Sequence, residues 1–203
     1  MNIRLPLTAM CCLGLLSGCV SYSAVMPGTV SYNGLEVKTS QAWNLAPAES
    51  SPASRSESKT WTQDGILLDR ILFIPGVPSG QTLFYTGSED QSLPAFRTDM
   101  MPNEIEELTE SSIARLFLKG EISVETRNLR PHTYAGDQGF LFDMDILLTD
   151  GPDYGGIVGG FVAGRKLYLI IFLGAKPYYY EKHRDEVLAI IRGAGVRGAA
   201  QPD

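Results

Sequence analysis

The chain is poor in the residues that most catalytic centres are built from. Its 203 residues include 2 histidines and 3 cysteines, and the cysteines (Cys11, Cys12 and Cys19) all fall in the first nineteen positions. A catalytic zinc needs several His or Cys ligands, so His132 and His183 are too few to supply one. There is no Cys-x-x-Cys, no Gly-x-Ser-x-Gly elbow and no phosphate-cradling Gly-Lys-Ser/Thr loop, so redox-pair, serine-hydrolase and P-loop chemistry of the usual types lack support. Basic residues are outnumbered, with 17 Lys+Arg against 23 Asp+Glu, a net charge of −6 and a pI near 5.0. That balance argues against general nucleic-acid binding, which needs a basic face. Long hydrophobic runs are also missing. The stretch from Leu5 to Gly18 has 14 residues, or ~21 Å as a helix against a hydrocarbon core of ~30 Å. Gly156, Gly160 and Gly164 repeat every four residues, as in contacting membrane helices, but Arg165 and Lys166 divide that apolar stretch. It reads as a soluble hairpin instead. What remains is ordinary globular composition, 44% hydrophobic and 20% charged, and enough chain for one domain with a real core.

The N-terminus carries the most specific signal. Arg4 precedes the Leu5–Gly18 run, and small residues precede Cys19. This is the layout of a secretory signal. Leu16-Ser17-Gly18-Cys19 resembles the lipobox of bacterial lipoproteins. The resemblance implies removal of residues 1–18, a diacylglycerol thioether on Cys19 and an N-acyl group such as palmitate on its new amine. Cys11 and Cys12 would leave with the signal, so the mature chain would keep no free thiol and no disulfide. Two or more acyl chains anchor firmly, where one binds only marginally. Val20 and Ser21 follow the cysteine in place of an inner-membrane aspartate. In a diderm host this implies an outer-membrane lipoprotein facing the periplasm.

Beyond the anchor, residues 19–34 read as a lipidated tether ending in the turn dipeptide Asn33-Gly34. Residues 35–195 read as one domain, with 196–203 as a flexible tail. Residues 35–46 suggest a first strand. Residues 47–60, with five serines and two prolines, suggest a mobile loop. Residues 66–75 form a strand stopped by Pro75-Gly76, and 81–86 can pair with it. Ile105, Leu108, Ile113, Leu116 and Phe117 recur at helical spacing over 102–119, with glutamates at the start and Gly120 as a cap. Strands are expected at 121–129, 139–149, 157–163 and 166–173, the last apolar on both faces and therefore central. A second amphipathic helix spans 178–193.

This order predicts an α+β fold, a mainly antiparallel sheet with two amphipathic helices. Trp61…Asp64-Gly65, Gly139-Phe140, and Gly164…Leu167-Tyr168-Leu169 leading to Tyr179-Tyr180-Glu181 resemble the PsbP-like fold across about residues 35–194. The resemblance implies a PsbP-like sandwich, and accessory or binding roles more than catalytic ones.

Two groups of residues could carry chemistry. Asp143 and Asp145 share a strand face, and Asp150 and Asp153 follow in DGPDYGG. Such carboxylates could hold a divalent cation or act as an acid/base pair, though the calcium-loop spacing is missing. They read equally as a solvated strand face and a turn. His132 and His183 read as surface histidines. The aromatics Trp43, Trp61, Tyr85, Tyr154, Tyr178 and Tyr179 could converge on a binding surface or fill the core. The function expected from all this is a non-catalytic, membrane-anchored envelope lipoprotein, with no cofactor beyond its lipid, that binds a protein partner or an envelope component. The alternatives are a hydrolase or metal-dependent enzyme using Asp143, Asp145 and Asp150, or a structural or stress-related lipoprotein.

Overall fold

A computed structural model describes residues 21–50, 55–85, 93–117 and 121–196. The signal, Cys19 and the end of the tail lie outside the described residues. The elements in chain order are β1 (Ser23–Val25), β2 (Gly28–Tyr32), β3 (Leu35–Thr39), β4 (Trp43–Leu45), β5 (Lys59–Thr62), β6 (Asp69–Pro78), α1 (Pro102–Ala114), β7 (Ile122–Tyr134), β8 (Asp137–Leu148), β9 (Tyr154–Ala163), β10 (Lys166–Ala175), α2 (Tyr178–Arg192) and β11 (Gly195–Val196). Eight strands form one sheet in the order β1-β4-β5-β6-β10-β9-β8-β7, and three form a small sheet, β11-β3-β2. All the pairings are antiparallel.

The large sheet buries both faces, and strand alternation assigns each side chain to its layer. In β10, Leu167, Leu169, Ile171 and Leu173 join the core under α1, while Tyr168, Ile170 and Phe172 join the core under α2. This is the central strand that an unbroken apolar run predicts. Phe140, Phe142, Met144 and Ile146 of β8 likewise share the α1 face. Helix α1 contributes Ile105, Leu108 and Ile113. Its start is fixed by Pro102 in the first turn and by the Met101 amide, which donates to Glu104 Oε2 at 2.7 Å. It ends at Ala114, earlier than its apolar spacing suggests, though Leu116 still packs on the core. Helix α2 contributes Val187, Leu188, Ile190 and Ile191 to the opposite face, beside the small sheet's Leu35 and Val37. Gly159 lets this helix come close. A Cβ there would collide with Ile191 and lie 2.6 Å from the Tyr134 hydroxyl.

Several expectations need correction. Residues 23–32 of the expected tether are β1 and β2, paired with β4 and β3. They have partners far along the chain, which local composition does not reveal. Residues 35–46 are two strands in different sheets, broken at Ser40. Within the expected loop at 47–60, the described residues are ordered. Ala48–Ser50 make a 3-10 turn, and buried Arg55 donates to Thr82 O at 3.0 Å and to Gln81 Oε1 at 2.5 Å. Pro75-Gly76 does not stop β6. The register slips there against β10, and Gly76, at φ +71°, takes a left-handed conformation within the bulge. Residues 81–85 form no strand, and Thr82 makes an isolated bridge to Ala95. Val196 belongs to β11 and not to a tail.

Candidate functional site

The acidic group on β8 is the first place to look for chemistry. Asp143 and Asp145 do project from one face, towards cations on neighbouring elements. Asp145 pairs with Arg127 of β7 and accepts from Lys176 Nζ at 2.5 Å. Asp143 accepts from Arg130 at 3.2 Å and from the Asn128 side chain at 2.8 Å. Burial by itself would raise the Asp145 carboxyl, but the bonds from Arg127 and Lys176 outweigh it and hold the group below the usual range. A general acid needs the opposite shift. Asp150 and Asp153 are exposed in the β8–β9 turn and do not join this group into a cation site. The four carboxylates are therefore ion-pair partners and turn residues, because two arginines of β7 and a lysine from the turn after β10 reach the first two.

Among the described residues, the one gathering with ligand-like spacing is Asp64, Asp69 and His183, whose candidate atoms lie within 4.8 Å of one another. Asp69 is fully buried and accepts from Thr62 Oγ1 at 3.0 Å, Gln63 N at 2.8 Å and Asp64 N at 2.7 Å. Its lone pairs hold the β5–β6 turn. Lys182 Nζ donates to both Asp64 oxygens at 2.7 Å, and His183 Nε2 lies 2.7 Å from Asp64 Oδ2. Desolvation tends to raise Asp64, but Lys182 and His183 more than offset it, so the carboxyl is held below its ordinary value. Asp64 is thus already answered by an ammonium, and Asp69 by the donors of its own turn. The cluster acts as a clamp between α2 and the β5–β6 turn. His183 is 2% exposed and packs 5.5 Å from the Trp43 ring, which corrects its reading as a surface histidine. Asp64 and His183 are 119 residues apart, so nothing in the sequence pairs them. His132 is half-buried, edge-on to Tyr134 and 3.2 Å from Arg192 O.

The aromatics do not converge on one surface. Trp43 and Trp61 are buried in the core under α2, where Trp61 donates to the Tyr32 hydroxyl at 2.8 Å. Tyr154 is buried as well, and its hydroxyl donates to Leu67 O at 2.6 Å. Tyr85 is exposed elsewhere, under the Arg55 guanidinium. Tyr179 is half-buried against the α1-side core. Tyr178 alone of the tyrosine run is fully outward, 64% exposed. It shares one end of the sheet with Leu67, itself 70% exposed. Ala175 N to Leu68 O, at 2.8 Å, and the Lys182–Asp64 pair tie these segments together. That end therefore presents two exposed side chains, one aromatic and one aliphatic, on fixed backbone.

Two cavities open on the α1 side of the sheet. One, of about 510 Å³, lies between the start of α1 and the β7–β8 hairpin, and includes Arg130. The other, of about 280 Å³, lies between the end of α1 and the sheet, walled mostly by aliphatic side chains.

No protein-family model and no curated protein sequence matches the chain. Among solved structures, the cyanobacterial PsbP (CyanoP) from Synechocystis sp. PCC 6803 is similar in fold. The TM-score is 0.58 at 12% identity, over 91% of this chain and 98% of that one. The PsbP-like fold expected from the order of elements is thus present. At that identity the likeness extends to the fold alone. Among the described residues, no helix is long and apolar enough to cross a membrane.

Proposed function

We propose that this chain is a non-catalytic envelope lipoprotein, anchored through Cys19 in the outer membrane on the periplasmic side, with an accessory role toward an envelope protein. The observation that carries the reading is the patch at the β6–β10 end of the sheet. Tyr178 and Leu67 are exposed there, on backbone held by the Asp64 clamp and the Ala175–Leu68 bond. A tyrosine on fixed backbone gives contact area at little conformational cost. The lipobox-like Leu16-Ser17-Gly18-Cys19 supports the anchor. The engagement of Asp143 and Asp145 with cations weighs against the metal-dependent alternative.

A photo-crosslinker in place of Tyr178 tests the reading in cells. The lipidated protein should capture one envelope protein that the Cys19→Ala form does not, and labelled palmitate should enter only the former. An unlabelled wild type removes the anchor from the proposal. A labelled wild type that captures nothing removes the partner.

A further inference from the structure

The 280 Å³ cavity contains an unusual charge. Arg70 of β6 points to the α1 face and lines the cavity, whose walls include Leu72, Phe84, Ile113, Ile146 and Ile171. Leu67, exposed, and Phe117 also line it. The Arg70 guanidinium donates to Ile66 O at 3.1 Å and lies 5.6 Å from the centre of the Tyr154 ring. Among the described side chains, no carboxylate comes within salt-bridge distance of it. Of its five N–H donors, one has a hydrogen-bond acceptor among those residues. Desolvation by burial presses its pKa down, and the Tyr154 phenol offsets this only in part. In the other cavity, by contrast, Arg130 is answered by Asp143. A cation on an apolar wall is costly unless an anion meets it, and a guanidinium fork suits a carboxylate in two-point contact.

We propose that this cavity binds a single-chain fatty acid, its chain among Leu72, Ile113, Ile146 and Ile171 and its carboxylate on Arg70. The size favours one chain, being near the lower end of the ~300–1,000 Å³ typical of small-molecule pockets, so a two-chain phospholipid is too large. The aliphatic walls favour an alkyl chain over a flat ring. The exposed Leu67 extends the apolar surface outward along the path of entry. The site shares Leu67 with the Tyr178 contact but depends on Arg70 and the inner walls, so a failed crosslink leaves it standing.

The test is equilibrium binding of radiolabelled dodecanoate to the full-length chain, held in a sterol-based detergent too bulky for the cavity. Saturable one-to-one binding is expected, about tenfold or more tighter than dodecanol, which lacks the charge. Each methylene removed from the ligand should weaken binding about fourfold. Arg70→Met should bring dodecanoate down to the affinity of dodecanol, and Arg70→Lys should restore part of the difference. Leu116→Trp, which fills the cavity, should abolish binding of both, with melting curves reporting that each variant is folded. Dodecanoate that does not saturate, or that binds no better than dodecanol, overturns the proposal, as does an unchanged ratio in Arg70→Met. Tighter binding of lysophosphatidylglycerol with the same chain overturns the fatty-acid assignment in favour of a lysophospholipid.

Discussion

Glu186 holds together the point where the chain leaves the small sheet for the large one, and its removal should be costly. One carboxylate oxygen accepts from Thr39 Oγ1 at 2.9 Å and from Ser40 N at 2.8 Å, and the other accepts from Ser40 Oγ at 2.6 Å. Those residues separate β3 from β4, and Thr39 Oγ1 also accepts from the buried Trp43 indole at 3.1 Å. Glu186→Ala removes three bonds to a charged acceptor and leaves a backbone amide without its partner. A hydrogen bond to a charged group contributes roughly 1.5–3 kcal/mol, and partial solvation keeps the sum well below three times that. A loss of about 2–3 kcal/mol is expected, which for a chain of this size lowers Tm by roughly 5–10 °C. Glu186→Gln retains an acceptor oxygen and should cost about half as much. The donors are uncharged, so raising the salt concentration should leave the difference intact, unlike that of an exposed ion pair. Asp185→Ala is the control, since that side chain is 94% exposed and should change stability by less than about 0.5 kcal/mol. Urea unfolding and thermal melts of the four proteins measure this directly. If Glu186→Ala melts within a degree of wild type, the reasoning is wrong, and β3 and β4 are positioned by core packing alone.

Acid should weaken the fold along a defined path. Asp64, Asp145 and Glu186 are each subject to desolvation, which raises them, and each is brought below its usual range by hydrogen bonds and cations that outweigh it. Depressed folded values mean stability that is complete above the unfolded carboxylate range, about pH 4, and lost as pH falls through the folded values. The urea midpoint should therefore decline from pH 5 to pH 3, and a flat profile would contradict these assignments. Asp64→Ala should destabilise by about 1–3 kcal/mol, because His183 Nε2 is buried and loses its partner. Lys182→Ala, on the exposed side of the same cluster, should leave Tm nearly unchanged, and equal losses would show that the ammonium is the main tie. Gly159→Ala should cost about 1–3 kcal/mol by forcing Ile191 and Tyr134 apart. A wild-type melting curve for that variant would mean α2 can slide without penalty.

Much of the architecture is determined by the sequence alone, for a simple physical reason. Alternation with period two and helical spacing are local signals, and burial enforces both. The run LYLIIFL has no polar face, so it has to be covered on both sides, and β10 is. Glu104 and Pro102 mark the start of α1 whatever packs against it. The Asn33-Gly34 and Gly164-Arg165 turns are local too, since Asn33, Gly34 and Gly164 tolerate the left-handed backbone that joins β2 to β3 and β9 to β10. The lipobox-like motif is likewise a property of adjacent residues.

What tertiary structure decided is which distant residues meet. Strands as short as β1 and β2 are fixed by their partners β4 and β3 and not by their own composition, so they read as a tether. Asp143 and Asp145 resemble a metal site until Arg127 and Arg130 from β7 and Lys176 from the turn after β10 arrive and neutralise them. Trp43 and Trp61 resemble a contact surface until α2 covers them. Arg70 is unremarkable in sequence, and becomes informative only because folding places it on an apolar wall with no acid opposite among the described residues. Charge compensation and burial depend on distances in space, and a linear order of residues does not contain them.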